Sequence, residues 1–155
     1  MVNLLGHSFG GRISLILASE QHAEFKVEKL LLVDAAGIKP KRGIKYRYKV
    51  FAYKLKKALG LKPKNAGSSD YKQLPLHMKS VFVRVVNTHL NKLLYKIDCP
   101  TLIVWGALDL DTPLYMAKKL NKHIKKSQLI VFDDAGHYAF LDKPLEFNAI
   151  VNAFV

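Results

Sequence analysis

Three residues of different types stand at positions whose surroundings suit nucleophilic catalysis. Ser8 lies in residues 6–10, a Gly-x-Ser-x-Gly pattern that follows a short apolar run and precedes a helical stretch. A serine hydroxyl is a weak nucleophile at neutral pH, so it needs a base, and the base needs an acid that orients it. Asp109 and His137 each follow a later apolar run and supply these two types. The sequence predicts Ser8 as the nucleophile, His137 as the base and Asp109 as the acid.

Four apolar runs predict the strands that must position these residues. They span residues 2–5, 29–34, 101–105 and 128–132. Strands that alternate with helices favour a parallel α/β sheet with right-handed crossovers. Catalytic groups of open parallel sheets gather at the carboxyl ends of the strands, so Ser8, Asp109 and His137 can converge without being neighbours in sequence.

Small residues surround the serine, as a tight strand-to-helix turn requires. A side chain at position 6 or 10 would clash in the strained turn, so we expect both positions to require a small residue, as Gly6 and Gly10 are. We expect Gly11 to let helix and strand approach closely. The amino end of the following helix points its free amides at negative charge that develops beside Ser8.

The remaining helix signals are caps, prolines and amphipathic stripes. Thr112 is interpreted as the N-cap and Pro113 as the first residue of the helix after the third strand, and Pro144 is predicted to open the last helix. Residues 38–96 show two helical stripes and no convincing strand. The first stripe is Ile44, Tyr48, Phe51, Leu55 and Leu59; the second is Met78, Phe82, Val85, His89 and Leu93.

Other residues compete for the same roles. Asp111 lies two residues after Asp109, and Asp34 ends the second strand, so either could be the acid. Ser8 could instead be an ordinary turn serine. We interpret His7 as a packing residue of the turn and His89 as a core or pocket histidine.

The charge is strongly basic but local. Lys and Arg outnumber Asp and Glu by 25 to 12 in 155 residues, and eleven of these basic residues lie between Lys39 and Lys64. We interpret this stretch as a solvated helix face, because its aromatic residues recur at helical spacing. A membrane-surface or anionic-substrate patch and a nucleic-acid site are the disfavoured alternatives.

Composition excludes several other classes of protein. A length of 155 residues suits a single hydrophobic core. The one cysteine, Cys99, excludes an internal disulfide and suits a cytoplasmic location. Neither an apolar run of about 18 residues nor a signal peptide is visible. We expect no metal and no cofactor, because the sequence has neither a Cys/His cluster nor a phosphate-cradling Gly-rich Lys motif.

Three separated motifs resemble those of the α/β-hydrolase superfamily, in particular its serine esterase, peptidase and C–C hydrolase branch. They are Gly-His-Ser-Phe-Gly-Gly at 6–11, Pro-Thr-Leu-Ile-Val-Trp-Gly-x-x-Asp at 100–109 with Pro113, and Ala-Gly-His at 135–137. The resemblance begins at the nucleophile elbow. It implies a three-layer α/β-hydrolase-type parallel sheet that lacks its N-terminal strands. The core would comprise residues 1–37 and 97–155, and residues 38–96 would form a helical cap or lid.

The resemblance also implies an activity. A serine hydrolase of this superfamily would act on an ester, amide or C–C bond of a small-molecule acyl or related carbonyl substrate. By the resemblance, the amide of Phe9, just after the nucleophile, is one oxyanion donor, and the superfamily takes a second donor from a loop that precedes the elbow. A non-catalytic fragment without that donor is therefore the main alternative, and a basic binding module is the third. The sequence does not predict an oligomeric state.

Overall fold

The chain divides into two compact units. The structure is a computed structural model that describes residues 1–20, 24–41, 48, 51, 52, 55 and 73–155. The first unit comprises Met1–Lys39 and His89–Val155, and the second comprises Pro40–Thr88. The first unit holds all the strands of the described residues together with the predicted catalytic residues.

The first unit is built on a four-stranded parallel sheet, as the sequence predicts. The strands are β1 (Val2–His7), β2 (Val27–Val33), β3 (Thr101–Gly106) and β4 (Ser127–Phe132). Their spatial order is also β1-β2-β3-β4, with every pair parallel. All six residues of β3 are buried, whereas β1 is largely exposed. The apolar run in β3 is therefore the one that a strand covered on both faces requires.

Helices cover both faces of this sheet and make three layers. They are α1 (Ser8–Ser19), α3 (Tyr115–His123), α4 (Ala139–Asp142) and α5 (Pro144–Phe154). Side chains alternate along β2, so Leu30 and Leu32 join one core cluster and Leu31 and Val33 join the other. The first cluster includes residues of α1 and α3, and the second includes residues of α4 and α5. The predicted three-layer α/β class is confirmed.

Two helix predictions about the first unit have different outcomes. The last helix begins at Pro144, as predicted. The interpretation of Thr112 as an N-cap is wrong, because α3 begins at Tyr115 and its N-cap residue is Leu114. The Thr112 hydroxyl lies within hydrogen-bond distance of the Asp34 carbonyl and the Asp109 carboxylate instead.

The described part of the second unit contains the helix α2 (Leu76–Asn87). This helix confirms the start of the second amphipathic stripe. The stripe is wrong at its end, since Thr88 is the C-cap and both His89 and Leu93 lie beyond the helix. Most of the first, basic stripe lies outside the described residues. Among those that are described, no helix is long and apolar enough to cross a membrane.

The segment after α2 returns to the first unit. Leu90 and Leu94 lie in its core cluster, and the Leu90 amide donates to the Gly37 carbonyl at 2.9 Å. Leu94–Lys96 forms a short 3-10 helix just before β3. The assignment of residues 38–96 as a cap stays a prediction.

Candidate active site

The serine lies at a sharp turn between β1 and α1. The strand ends at His7 and the helix begins at Ser8, whose φ of 49° falls in the left-handed region. A Cβ atom on Gly6 would lie 2.7 Å from the Gly10 carbonyl oxygen, so the requirement for glycine at position 6 is confirmed. Such strain at a non-glycine residue is typical of functional sites.

The expectation for the two later glycines is half right. A Cβ on Gly11 would clash with Ala35, just after β2, and would lie 3.2 Å from the carbonyl oxygen of Gly6 in β1, which confirms the close approach of helix and strand. The expectation for Gly10 is wrong: within the part of the chain that the structure describes, a Cβ there would meet no atom within 4 Å. The turn is constrained from the strand side, at Gly6, because the first turn of α1 lies directly against that residue.

A chain of two hydrogen bonds connects the three residues predicted for catalysis. The Ser8 Oγ lies 3.0 Å from His137 Nε2 and can donate its proton there. His137 Nδ1 lies 2.8 Å from Asp109 Oδ2, the geometry of an N–H donating to a carboxylate. The imidazole side chain is 14% exposed and the Asp109 side chain is fully buried, so this end of the chain is shielded from water.

Asp109 accepts four hydrogen bonds. Its Oδ1 accepts the amides of Asp111 at 2.8 Å and Thr112 at 2.9 Å. Its Oδ2 accepts His137 Nδ1 and, at 2.6 Å, the Thr112 hydroxyl. Burial raises the pKa of Asp109, but the hydrogen bonds from His137 and Thr112 outweigh it and hold the pKa below its ordinary value. The carboxylate therefore stays charged beside the imidazole.

Thr112 is a site residue that the sequence analysis placed in the wrong role. Its hydroxyl reaches Asp109 Oδ2 at 2.6 Å and the Asp34 carbonyl oxygen at 3.0 Å, and it lies 3.5 Å from His137 Nδ1. A hydroxyl has one proton, and the shorter, charged acceptor takes the stronger bond. The Asp109-x-x-Thr112 spacing was the available signal, because aspartates often accept the amides two and three residues later.

The two rival acids do not contact His137 as Asp109 does. Asp111 is exposed and meets Asp109 through its backbone amide. Asp34 is completely buried with a φ of 44°. Its Oδ1 accepts the Gly106 amide at 2.9 Å and its Oδ2 accepts the Ala139 amide at 3.3 Å. Burial raises the pKa of Asp34 to about 6, against the effect of these two backbone bonds.

His7 contacts the loop that carries the predicted base. Its Nε2 lies 2.8 Å from the His137 carbonyl oxygen, so the Nε2–H tautomer donates to that oxygen. Its ring also lies within about 5 Å of the rings of His137, Tyr138 and Phe140. His7 therefore packs against neighbouring rings and also forms a hydrogen bond from the elbow to the loop of His137, which was not expected from the sequence.

One group of side chains in the described residues has the composition of a metal site. Asp109, Asp111 and His137 offer ligand atoms within 4.8 Å of one another. Both Asp109 oxygens already accept two hydrogen bonds each, and His137 Nδ1 is bonded to one of them. A cation would have to displace these donors, so the donor set fits a hydrogen-bonded acid and base better than a metal.

Phe9 occupies the position expected of an oxyanion donor. It is the second residue of α1, and the first four amides of a helix have no partner within the helix. Its side chain is 50% exposed. The Phe9 amide therefore lies beside Ser8 at the positive end of a helix dipole.

Comparison with known proteins identifies relatives. Residues 37–144 match the family model of the alpha/beta hydrolase fold, a span that includes Asp109 and His137 but not Ser8. A pimeloyl-acyl-carrier protein methyl ester esterase of Neisseria meningitidis is 43% identical over 63 residues, which are 41% of this chain and 25% of that protein. A proline iminopeptidase of Lactobacillus acidophilus is 40% identical over 62 residues, or 40% of this chain and 21% of that protein.

Solved structures match nearly the whole chain. An esterase from Exiguobacterium antarcticum superimposes with a TM-score of 0.68 at 25% identity and covers 99% of this chain and 66% of its own. A serine hydrolase involved in carbazole degradation, at 21% identity, has a TM-score of 0.67 over 99% of this chain and 62% of its own, which shows the shared fold. The chain thus spans about two thirds of the length of these solved relatives.

Proposed function

The chain belongs to the alpha/beta hydrolase family, and we propose that it carries the catalytic triad of a serine hydrolase, with Ser8, His137 and Asp109 as its members. The observation that carries this proposal is the unbroken pair of hydrogen bonds from Ser8 Oγ to His137 Nε2, at 3.0 Å, and from His137 Nδ1 to Asp109 Oδ2, at 2.8 Å. An alcohol, a base and a buried acid in this order are the requirement for activating a serine.

The reaction follows from these contacts. Ser8 Oγ attacks the carbonyl carbon of the substrate while its proton passes to His137 Nε2, and Asp109 stabilises the imidazolium that forms. Collapse of the tetrahedral intermediate breaks the bond to the leaving group, which takes the proton from Nε2. Water then attacks the acyl carbon on Ser8 while His137 Nε2 takes its proton, and collapse breaks the bond from Oγ to that carbon, releases the acid and returns the proton from Nε2 to Ser8 Oγ. The low pKa of Asp109 supports this role, because a protonated Asp109 would not stabilise the imidazolium.

The Phe9 amide is the proposed oxyanion donor within this chain. It lies in the first turn of α1, directly after the nucleophile, where helix amides are free to bind negative charge. One such donor is worth about a hundredfold to a thousandfold in rate. A second donor would have to come from a segment other than the elbow.

The substrate proposal is a small molecule with an ester, amide or activated C–C bond next to a carbonyl group. Relatives that share 40% or more identity over a limited region are a methyl ester esterase and a proline iminopeptidase, so ester and amide bonds both occur among them. Within the predicted insertion, Pro40–Thr88 forms a unit of its own. We propose that residues 38–96, which include this unit, serve as a cap. Cys99 supports a cytoplasmic location.

The test is covalent labelling with a fluorophosphonate probe. We expect stoichiometric labelling of the folded chain at Ser8 and none in Ser8→Ala. Ser14→Ala is a matched control, because Ser14 is buried in the same helix but is not part of the hydrogen-bonded relay formed by Ser8, His137 and Asp109. Equal labelling of the wild type and Ser8→Ala would contradict the proposal.

A second candidate is a hydrolase-like protein without turnover. The observation that favours it is length, because the chain spans 62% and 66% of the two solved relatives described above. An ester panel on this chain and on a version extended by the upstream strands of a relative separates the candidates. Hydrolysis by this chain, lost in Ser8→Ala, excludes the second candidate. Hydrolysis by the extended version alone supports it.

A further inference from the structure

Asp34 lies between the two loops that carry the proposed acid and base. Its Oδ1 accepts the Gly106 amide at 2.9 Å, and Gly106 is the last residue of β3, three residues before Asp109. Its Oδ2 accepts the Ala139 amide at 3.3 Å, and Ala139 begins α4, two residues after His137. One carboxylate thus joins two elements that are more than thirty residues apart in sequence.

The burial and the backbone conformation of Asp34 both cost free energy of folding, which indicates that the residue has a structural role. Asp34 has no solvent exposure, and its φ of 44° lies in a region that non-glycine residues rarely adopt. Burying a carboxylate disfavours its charged form unless hydrogen bonds compensate. Here two backbone amides offset part of this cost, and they belong to the segments that carry Asp109 and His137. A smaller residue would leave both buried amides without their acceptor, and an asparagine would leave one of them without it.

We propose that Asp34 is a positioning residue, which sets the separation of the loops bearing Asp109 and His137 by bonding the Gly106 and Ala139 amides with its two oxygens. Among the described residues, its carboxylate bonds these two amides and not the hydroxyl of Ser8, the proposed nucleophile. Its effect on catalysis rests on the proposed function, whereas its effect on the two loops does not.

Ionisation of Asp34 controls the strength of this link. Amides bind a charged carboxylate more strongly than a neutral one. Burial raises the pKa of Asp34 to about 6, and in the described residues the titratable groups acting on it are Asp109, which raises the pKa, and His137, which lowers it. Protonation below about pH 6 therefore weakens the bonds to Gly106 and Ala139, and the two loops become less tightly held.

The first test follows backbone amides by NMR in the wild-type chain and in Asp34→Asn. In the wild type, the Gly106 and Ala139 amide signals should shift together with the carboxyl carbon of Asp34, with one midpoint near pH 6. In Asp34→Asn this step should vanish, because an amide group does not titrate and its NH₂ would face the Ala139 N–H. If the variant fails to fold, the three wild-type signals still decide. Separate midpoints for the two amides would overturn the proposal.

Asp142→Asn is the matched control. Asp142 Oδ2 accepts the Gly136 amide of the same histidine loop at 2.8 Å, but this carboxylate is exposed. The rate of fluorophosphonate labelling should fall by about tenfold to a hundredfold in Asp34→Asn, as expected for a displaced catalytic group, and by no more than about twofold in Asp142→Asn. An equal loss in both variants would contradict the positioning role. An unlabelled wild type would refute the proposed function instead, while the amide titration would still decide the role of Asp34.

Discussion

Asp34 and Asp109 follow neighbouring parallel strands, and both are withdrawn from water, with 0% and 2% exposure. Their pKa values nevertheless move in opposite directions: that of Asp34 rises to about 6, and that of Asp109 falls below its ordinary value. Asp34 accepts two hydrogen bonds through its carboxylate, both from backbone amides. Asp109 accepts four, and two of these come from side chains. Burial is the largest cause acting on the pKa of both carboxylates; the bonds to Asp34 do not outweigh it, whereas the additional donors to Asp109, two of them side chains, do.

The difference separates two tasks that aspartates perform in one site. A partner for an imidazolium must be negative at the pH of the reaction, and the donors around Asp109 ensure this. A residue that holds backbone amides can do so with a weaker tendency to ionise, as Asp34 does. Thr112 connects the two, since its hydroxyl lies near both the Asp34 carbonyl and Asp109 Oδ2.

Asp109→Asn should have the largest effect. The amide side chain of asparagine cannot stabilise the imidazolium and favours the wrong tautomer of His137, so kcat should fall by about ten-thousandfold. The measurement is ester hydrolysis, with circular dichroism to confirm the fold. Asp34→Asn, which leaves the relay intact, should lose far less. If Asp109→Asn were as active as Asp34→Asn, Asp109 would not be the acid of the triad.

The two carboxylates should give opposite trends of stability with pH. The raised pKa of Asp34 means that the folded state keeps a proton that the unfolded state has lost, so its contribution to the free energy of unfolding falls as pH rises from about 4 to about 6. A shift from 3.8 to about 6 corresponds to about 3 kcal/mol. The lowered pKa of Asp109 contributes stability that is present above pH 4 and is lost as pH falls further.

Urea unfolding at a series of pH values checks both trends. Asp34→Asn should lack the fall between about pH 4 and pH 6 that the wild type shows. Asp109→Asn should retain that fall and lack the loss of stability that the wild type shows as pH falls below about 4. The same pH profile in the wild type and Asp34→Asn would mean that Asp34 ionises normally in the folded chain.

Thr112→Val should have a smaller effect on the relay. Valine removes the hydroxyl that lies 2.6 Å from Asp109 Oδ2 but keeps the backbone amide that bonds Oδ1. One charge-assisted hydrogen bond is worth about 1.5 to 3 kcal/mol. The pKa of Asp109 should therefore rise, and the pH profile of its carboxyl-carbon NMR signal should move to higher pH. Thr112→Ser restores the hydroxyl and should restore the profile; if it does not, packing of the threonine methyl group explains the loss.

Sequence alone predicted the strands and the relay, but it did not predict what surrounds them. The strands follow from short, largely apolar runs, and their topology brings Ser8, Asp109 and His137 to one edge of the sheet. The choice of Asp109 over Asp111 and Asp34 came from the resemblance to the α/β-hydrolase motifs. The role of Thr112 could not be derived in this way, because a threonine before a proline also fits an N-cap, and only the packed loops show which acceptor its hydroxyl meets. Asp34 was recognised as a rival acid for the same reason. Its contacts with Gly106 and Ala139 depend on distances between separate elements.

Asp111→Asn should have the smallest effect. It tests whether a nearby carboxylate that does not bond His137 contributes to the activity. Asp111 lies two residues from Asp109 and was the obvious rival in the sequence, but its side chain is exposed and its contribution to Asp109 is a backbone amide at 2.8 Å. Asparagine keeps that amide, so hydrolysis and labelling rates should stay within about twofold of the wild type. A large loss would show that charge at position 111 reaches His137 across the solvent-exposed side of the loop, since the ligand atoms of the two residues lie within 4.8 Å. The charge of Asp111 would then affect His137 without a hydrogen bond between them. A comparison of Asp34 and Asp109 alone would not account for the charges that act on the imidazole.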